Sequence, residues 1–471
     1  MTETLTPDIC VIGAGSGGLS VAAAAAAFGV PVVLIEKGRM GGDCLNYGCV
    51  PSKALLAAAR HAAEPRRANL FGMELPRAKI DFAKVNAHVH GVIAAIAPND
   101  STERFTGLGV HVIAGAARFT DARTVAVGNF EIKARRFVVA TGSAAAVPPI
   151  PGLDSTPFLT NETIFELKEC PEHLVIIGGG PIGLELAQAH GRLGAAVTVL
   201  EAATPLAKDD PECAEVVLAQ LAREGIAIRT GVKVARVAHD GGKVQAVLEG
   251  GETVEGSHLL VAAGRKANTE GLDLAAAGIK YEPRGIMVDK GLKTSNKKVY
   301  AIGDVAGGPQ FTHAANYHAG IVIRNALFRL PAKTNHDTLP WVTFTDPELA
   351  HVGLTESQAR ERHKTIRVLR WPYHENDRAQ AERETHGHIK VVTAKNGRIL
   401  GATIVGAHAG ELITTWTLAL TQGLNIRAMT GIVMPYPTLA EIGKRAAITY
   451  FSSSLTGSTV RRLIGFLRRF G

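Results

Sequence analysis

One loop design occurs twice in this chain, each time between the same kinds of neighbour. Ile9-Cys10-Val11-Ile12 is an unbroken apolar run. It leads into Gly13-Ala14-Gly15-Ser16-Gly17-Gly18, an alanine-rich stretch, and then Val32-Val33-Leu34-Ile35, which ends at Glu36. Further on, Leu174-Val175-Ile176-Ile177 leads into Gly178-Gly179-Gly180-Pro181-Ile182-Gly183, and Ala196-Val197-Thr198-Val199-Leu200 ends at Glu201. In both copies the acid stands eighteen residues past the last glycine of the loop. Short apolar runs bounded by glycine read as buried strands. A G-x-G-x-x-G loop between such a strand and a helix is a dinucleotide fingerprint. Gly13 and Gly178 make the turn, Gly15 and Gly180 let backbone approach a pyrophosphate, and Gly18 and Gly183 let the helix pack on its strand. The helix start offers free N–H groups and a positive dipole end to the phosphate. Glu36 and Glu201 then accept hydrogen bonds from ribose hydroxyls. A lone loop of this kind is weak support; flanked by two strands and an acid, and present twice, it is strong. The chain is expected to be α/β with two Rossmann-like dinucleotide-binding units.

Between the two loops lies Gly41 to Lys53, GGDCLNYGCVPSK. Five residues of straight helix rise about 7.5 Å, beyond the roughly 7 Å Cα limit for a disulfide. A Cys44–Cys49 bond therefore needs a distorted helix start, which Gly48 permits. Such a bond is reducible. The residues alone also allow two buried free cysteines, since free Cys is often a small hydrophobe, or half of a metal site. No His or third Cys stands at zinc-site spacing, so no metal ligand is assigned. A helix start and Lys53 both favour a thiolate at Cys49.

This segment resembles the active-site signature of the FAD-dependent pyridine nucleotide–disulfide oxidoreductases, nearest the branch of dihydrolipoamide dehydrogenase and mercuric reductase. The resemblance runs from about Asp8 to Tyr450. Asp43 and Tyr47 stand where the signature commonly has Thr and Val. The resemblance implies FAD in the first unit, NAD(P)H in the second, and a redox-active Cys44–Cys49 pair with Cys49 against the flavin and Cys44 facing the oxidant. It implies that Lys53 pairs with Glu185 beside the flavin. It adds cofactor contacts at Lys37, Gly42, Asp43, Thr141, Gly142, Gly264, Gly303 and Asp304, and places His313 near the flavin ring. Thr345 to Glu356 resembles the opening of a dimerisation domain, so the family's homodimer is expected, each such domain completing its partner's active site. The expected layout is an FAD domain over 1–150 and 274–339, an NAD(P)H domain over 151–273, an α+β dimerisation domain over 340–452 and a tail over 453–471.

Two departures bear on the reaction. The family's dithiol reductases carry His-Pro-Thr-x-x-Glu; here it is Tyr436-Pro437-Thr438-Leu439-Ala440-Glu441. A phenol with a pKa near 10 is a poor base at neutral pH, and Glu441 is left to hydrogen-bond that phenol. Mercuric reductase also carries Tyr there, but no Cys follows Cys213 to supply that enzyme's C-terminal cysteine pair. The expected function is electron transfer from NAD(P)H through FAD and the dithiol to a small oxidant: a metal ion, a quinone or a disulfide. The alternatives are a dihydrolipoamide dehydrogenase-type activity and a non-catalytic flavoprotein subunit. Glu201, followed by Ala202 and Ala203 with no cation, favours NADH over NADPH.

Composition narrows the setting. Aromatics are 5% and not interleaved with basic residues, which argues against a nucleic-acid partner. Five cysteines without a framework suit a reducing cytosol. The first eight residues have neither a basic region nor an apolar core, so no secretory signal is expected. No run reaches about 20 apolar residues. Cys10 is expected in the core. Near the end, Val460, Leu463, Ile464 and Leu467 fall at helical spacing among Arg461, Arg462, Arg468 and Arg469, with Ser458 as the cap. That pattern suits either a helix docked on the protein body or a weak peripheral contact with the inner face of a membrane.

Overall fold

Strands buried on both faces take a parallel sheet with residues alternating between two cores, and the first fingerprint builds one. In the computed structural model, which describes residues 2–76, 78–455 and 457–470 (side chains of 453–455 apart), five strands lie side by side. Their order is Val299–Ala301, Arg136–Val139, Ile9–Ile12, Val32–Glu36 and His111–Ala114, all parallel. Ile9, Val11, Val32 and Leu34 face one core; Cys10, Ile12, Val33 and Ile35 face the other. The strand near residue 300 thus joins the sheet begun at residue 9.

The second fingerprint repeats the plan. His173–Ile177 pairs in parallel with both Ala196–Glu201 and His258–Val261. An antiparallel sheet of Val234–Asp240, Lys243–Leu248 and Thr253–Gly256 packs over it through Val237, Ala246 and Leu259. Helix α1, Ser16–Ala27, follows the first loop, and helix Pro181–Leu193 follows the second. The two loops match atom for atom where packing is tight. A Cβ on Gly18 would lie 1.9 Å from the Gly13 carbonyl oxygen, and one on Gly183 would lie 2.0 Å from that of Gly178. Gly13 and Gly178 have φ of +106° and +118°.

By internal contacts the chain forms two compact units. The first comprises Met1–Glu64, Arg77–Ala202 and Val232–His336; the second comprises Pro65–Pro76, Ala203–Gly231 and Asp337–Gly471. The second holds an antiparallel sheet ordered Trp341–Thr343, Glu348–Gly353, Ile399–Gly406, His388–Ala394 and Ile366–Pro372. Helices Ala409–Thr421 and Glu441–Leu455 cover it through Trp416, Ile413, Ile442 and Ala446.

Helix Cys49–Ala68 ends before an irregular segment, and a new helix runs Phe82–Ile96 with Asp81 as its cap. Glu348–Gly353 is a strand in the segment that resembles the opening of the dimerisation domain. One expectation changes. The last helix is Ser458–Leu467, and Gly457, not Ser458, is its cap. Helix Glu441–Leu455 crosses residue 452, and Thr456 and Gly471 of the expected tail lie outside the described residues. Among the described residues no helix is long and apolar enough to cross a membrane.

A buried ion cluster ties the second unit together. Lys390, only 5% exposed at its side chain, meets Asp210 at 2.8 Å, Glu212 at 3.0 Å and Glu356 at 2.7 Å. Burial pushes the ammonium's pKa down, and hydrogen bonds to the three carboxylates more than reverse this. Arg370 bonds Glu212 at 2.8 Å and holds its carboxyl down at about 2. A depressed carboxylate contributes stability above its ordinary pKa and loses it as pH falls. Wild type should therefore lose stability between pH 4.5 and about 2. Removing the cation leaves three carboxylates together, so Lys390→Ala should cost about 3–5 kcal/mol. Thermal melts at pH 7 check this; an unchanged midpoint would show that the cluster is not a structural tie.

Candidate active site

The redox segment is a helix broken in the middle. Helix α2, Gly42–Asn46, carries Cys44, and helix α3, Cys49–Ala68, begins with the second cysteine. Tyr47, at φ −140° and ψ −2°, ends the first. The break removes the obstacle that a straight helix sets between the two sulfurs. Gly48 serves it through space rather than through an unusual backbone angle: a Cβ there would lie 2.9 Å from Asp43 Oδ2. Gly42, at φ +59°, packs on the first loop, where a Cβ would come within 2.7 Å of the Gly15 Cα.

Both cysteines are free thiols in this structure. Cys44 donates to Cys49, the Thr312 hydroxyl donates to Cys49 at 3.5 Å, and Lys53 adds its charge; together these outweigh burial and Asp43 and bring Cys49 down to about 6. The same bond, with burial, pushes Cys44 well above the ordinary thiol range. The shared bond thus favours a thiolate at Cys49 over one at Cys44. Lys53 Nζ lies 2.7 Å from Glu185 Oε2, joining α3 to helix Pro181–Leu193.

The nucleotide loops pass a geometric test for their cofactors. In each, the first and third glycines are closed in by protein. The middle one is open: a Cβ on Gly180 meets nothing within 4 Å, and one on Gly15 meets only the Gly42 Cα, at 4.0 Å. Space of that kind at a helix start suits a pyrophosphate. Glu36 accepts from the Ala14 N–H at 2.6 Å, and Glu201 accepts from the Gly179 N–H at 2.6 Å, so each acid sits at its loop. Lys37 is exposed just past Glu36.

Around the first loop, Thr141 donates to the Asn268 carbonyl and Asn268 donates back to that of Thr141, at 2.7 and 2.9 Å, beside Gly142. Asp304 accepts from Ser143, and Arg265, next to Gly264, donates to Ser143 Oγ at 2.7 Å. Burial raises the Asp304 pKa against the pull of Ser143 and Arg265. Buried His318 accepts from the Gly303 N–H at 3.2 Å and is kept neutral by burial, its pKa near 4. His313 stacks on Phe311 at 5.2 Å.

Tyr436 and Glu441 belong to the second unit. The phenol donates to Asp377 Oδ2 at 2.7 Å, so the acceptor is Asp377 and not Glu441. Asp377 lies 59 residues away in sequence, which no local pattern signals. That bond raises the Tyr436 pKa further and keeps the phenol protonated. Thr312, Ser143, Arg265, Asn161, Asp377 and His318 are the side chains that sequence reasoning did not single out. Among the described residues no cluster of three or more His, Cys, Asp or Glu could hold a metal ion.

A dithiol with one activated sulfur, set beside two dinucleotide loops, defines a nucleotide-dependent disulfide oxidoreductase. Residues 7–319 match the family model described as pyridine nucleotide-disulphide oxidoreductase, and residues 339–447 match that family's dimerisation domain. The chain belongs to this family: it is an FAD- and NAD(P)-dependent oxidoreductase, and the second match supports a homodimer. A mercuric reductase of Bacillus cereus is 37% identical over 94% of this chain and 71% of its own length. A dihydrolipoyl dehydrogenase of Geobacillus stearothermophilus is 35% identical over 95% of each. Among solved structures, the Cu(II) complex of the HOCl-induced flavoprotein disulfide reductase RclA from Escherichia coli aligns with a TM-score of 0.86 at 30% identity, over 95% of this chain and all of that one.

The assignment of the sulfurs is tested by substitution. Two-electron reduction of the holoprotein should give a long-wavelength thiolate-to-flavin band that fades with a midpoint near pH 6. Cys49→Ser should abolish the band, and Cys44→Ser should show it without reductant. No band in oxidised Cys44→Ser would reverse the assignment.

Proposed function

We propose that this enzyme draws electrons from NADH and delivers them through Cys44–Cys49 to a small oxidant that needs no base to activate it, with a soft metal ion foremost. The observation that carries this reading is the protonated Tyr436 phenol, tied to Asp377, at the position where dithiol reductases of the family have a basic imidazole. Bound FAD supplies the two-electron relay between nicotinamide and sulfur. The chain supplies the rest: Gly15, Glu36 and Asp304 hold the flavin nucleotide, Gly180 and Glu201 hold the nicotinamide nucleotide, and the Lys53–Glu185 pair steadies α3 beneath Cys49. Cys44 receives the acceptor. With Hg(II) the balance is Hg(II) + NADH → Hg(0) + NAD⁺ + H⁺, which asks no residue to deprotonate the acceptor. The mercuric reductases among its relatives, and the Cu(II) bound in the RclA structure, support a metal acceptor. Lipoamide is the second reading, favoured by the dihydrolipoyl dehydrogenase relatives. The domain division proposed is 1–150 with 274–339, 151–273 and 340–452.

A general base usually contributes roughly 100- to 10,000-fold. Purified enzyme should therefore turn over Hg(II), Cu(II) or a quinone well and lipoamide poorly, and Tyr436→His should raise lipoamide reduction at least tenfold while leaving flavin reduction by NADH unchanged. Wild-type lipoamide turnover at the rate of a dedicated lipoamide enzyme would overturn the reading.

Glu201 also sets the nucleotide preference. A carboxylate beside the loop accepts from a 2′-hydroxyl and repels a 2′-phosphate. NADH should exceed NADPH in kcat/KM by at least tenfold, and equal values would refute this.

The cysteine usage suits a cytoplasmic location, and the terminal helix is proposed to touch the inner face of the membrane. Leu463, Ile464, Phe466, Leu467 and Phe470 are exposed among four arginines. Vesicles rich in anionic lipid should sediment the protein at low salt and release it at high salt. Binding that survives deletion of residues 458–471 would exclude this helix as the contact.

A further inference from the structure

We propose that Asp43 is a positioning residue: its carboxylate, gripped by Asn161 and Arg265, braces the helix break between the two cysteines and sets the charge beside them. The grip uses both oxygens. Asn161 Nδ2 donates to Asp43 Oδ1 at 3.0 Å and to the Tyr47 carbonyl at 3.2 Å, so one buried amide holds both the acid and the residue that ends α2. Arg265 Nη2 lies 3.1 Å from Asp43 Oδ2 and is itself fixed by Ser143 Oγ and the Ser143 carbonyl. Gly48 leaves the space that this carboxylate occupies. Asn161 and Arg265 come from opposite ends of the second fingerprint unit. Asn161 follows Leu159, which bridges to Leu260, and Arg265 opens the strand paired with Ser143–Ala145. The redox segment is thus anchored to chain that lies more than 100 residues downstream.

The acid also works at a distance. Cys49 is faced by Cys44 and Asp43 from α2, by Thr312 from helix Thr312–Ala326 and by Lys53 of its own helix, whose partner is Glu185. Among these, Asp43 disfavours a thiolate at either cysteine, and its carboxylate is paired with Arg265. A Thr at 43, common in this signature, would carry no charge. The inference rests on the cysteine pair and holds for any final acceptor.

The test compares reduced holoenzyme as wild type, Asp43→Asn and Arg265→Gln. Two readouts are followed against pH: the thiolate band, and the rate of iodoacetamide alkylation with the labelled cysteine found by peptide mass spectrometry. Direct charge pairs shift a pKa by about 1–3 units. Because Asp43 is paired with Arg265, Asp43→Asn should move the midpoint down by only roughly half a unit to one unit. Arg265→Gln, leaving the acid uncompensated, should move it up. If Arg265→Gln does not retain FAD, Asn161→Asp replaces it, since a second carboxylate against the first also moves the midpoint up. Shifts of the same sign in both variants, or an unmoved midpoint in Asp43→Asn, would overturn the proposal. Absence of any reducible dithiol in wild type would instead overturn the assignment of Cys44 and Cys49.

Discussion

Everything at the redox site depends on two stretches of backbone touching. The Gly42 Cα carries no side chain because a Cβ there would come within 2.7 Å of the Gly15 Cα. That contact starts the dithiol helix directly on the first nucleotide loop. Close packing leaves such contacts little tolerance for even one added carbon. The break after Tyr47 then turns the chain so that Cys49 heads a new helix, with the N-terminal end of α3 favouring a negative charge there. Lys53 lies one turn further along the same helix. What favours a thiolate at Cys49 is placement: a helix start, a neighbouring thiol, a hydroxyl and a cation act on one sulfur.

The two nucleotide loops show what duplication preserves. Glycines that touch protein are closed in on the same atoms in both copies, and each acid accepts an N–H from the residue after the first glycine. Only the middle glycines face open space. Packing explains the first and third positions, and a ligand explains the second. The copies differ in what lies around them. The first is joined by Gly42 and the dithiol. The second extends helix Pro181–Leu193 to Glu185, whose carboxylate meets Lys53.

Most of this framework was legible in the sequence because its signals are local. Both βαβ units, the cysteine segment, Glu36 and Glu201 rest on short apolar runs and fixed spacings, whereas the Lys53–Glu185 pair, 132 residues apart, was reached only through the family resemblance. What escaped is long-range. Asn161 and Arg265 reach Asp43 from more than 100 residues away, and Asp377 reaches Tyr436 from 59. Each is an ordinary polar residue with no motif of its own. Glu441 stood at the right spacing to take the phenol, yet the loop before its helix turns the hydroxyl toward Asp377. Gly48 illustrates a subtler miss: its necessity was visible, but its reason is the volume of the Asp43 carboxylate rather than a backbone angle.

The second unit answers a different demand. Helices cover its antiparallel sheet, and a lysine among three carboxylates ties sheet to helix. The chemistry rests on the first unit's pair of sulfurs, and their redox state can be read directly. Oxidised holoprotein is divided, one portion receives a single equivalent of NADH without oxygen, and both portions are alkylated, digested and analysed by mass spectrometry. Cys44 and Cys49 should be unlabelled before NADH and labelled after it, with Cys10, Cys170 and Cys213 the same in both. Labelling of Cys44 and Cys49 before NADH, or consumption of the NADH with neither becoming reactive, would contradict their assignment as the redox pair.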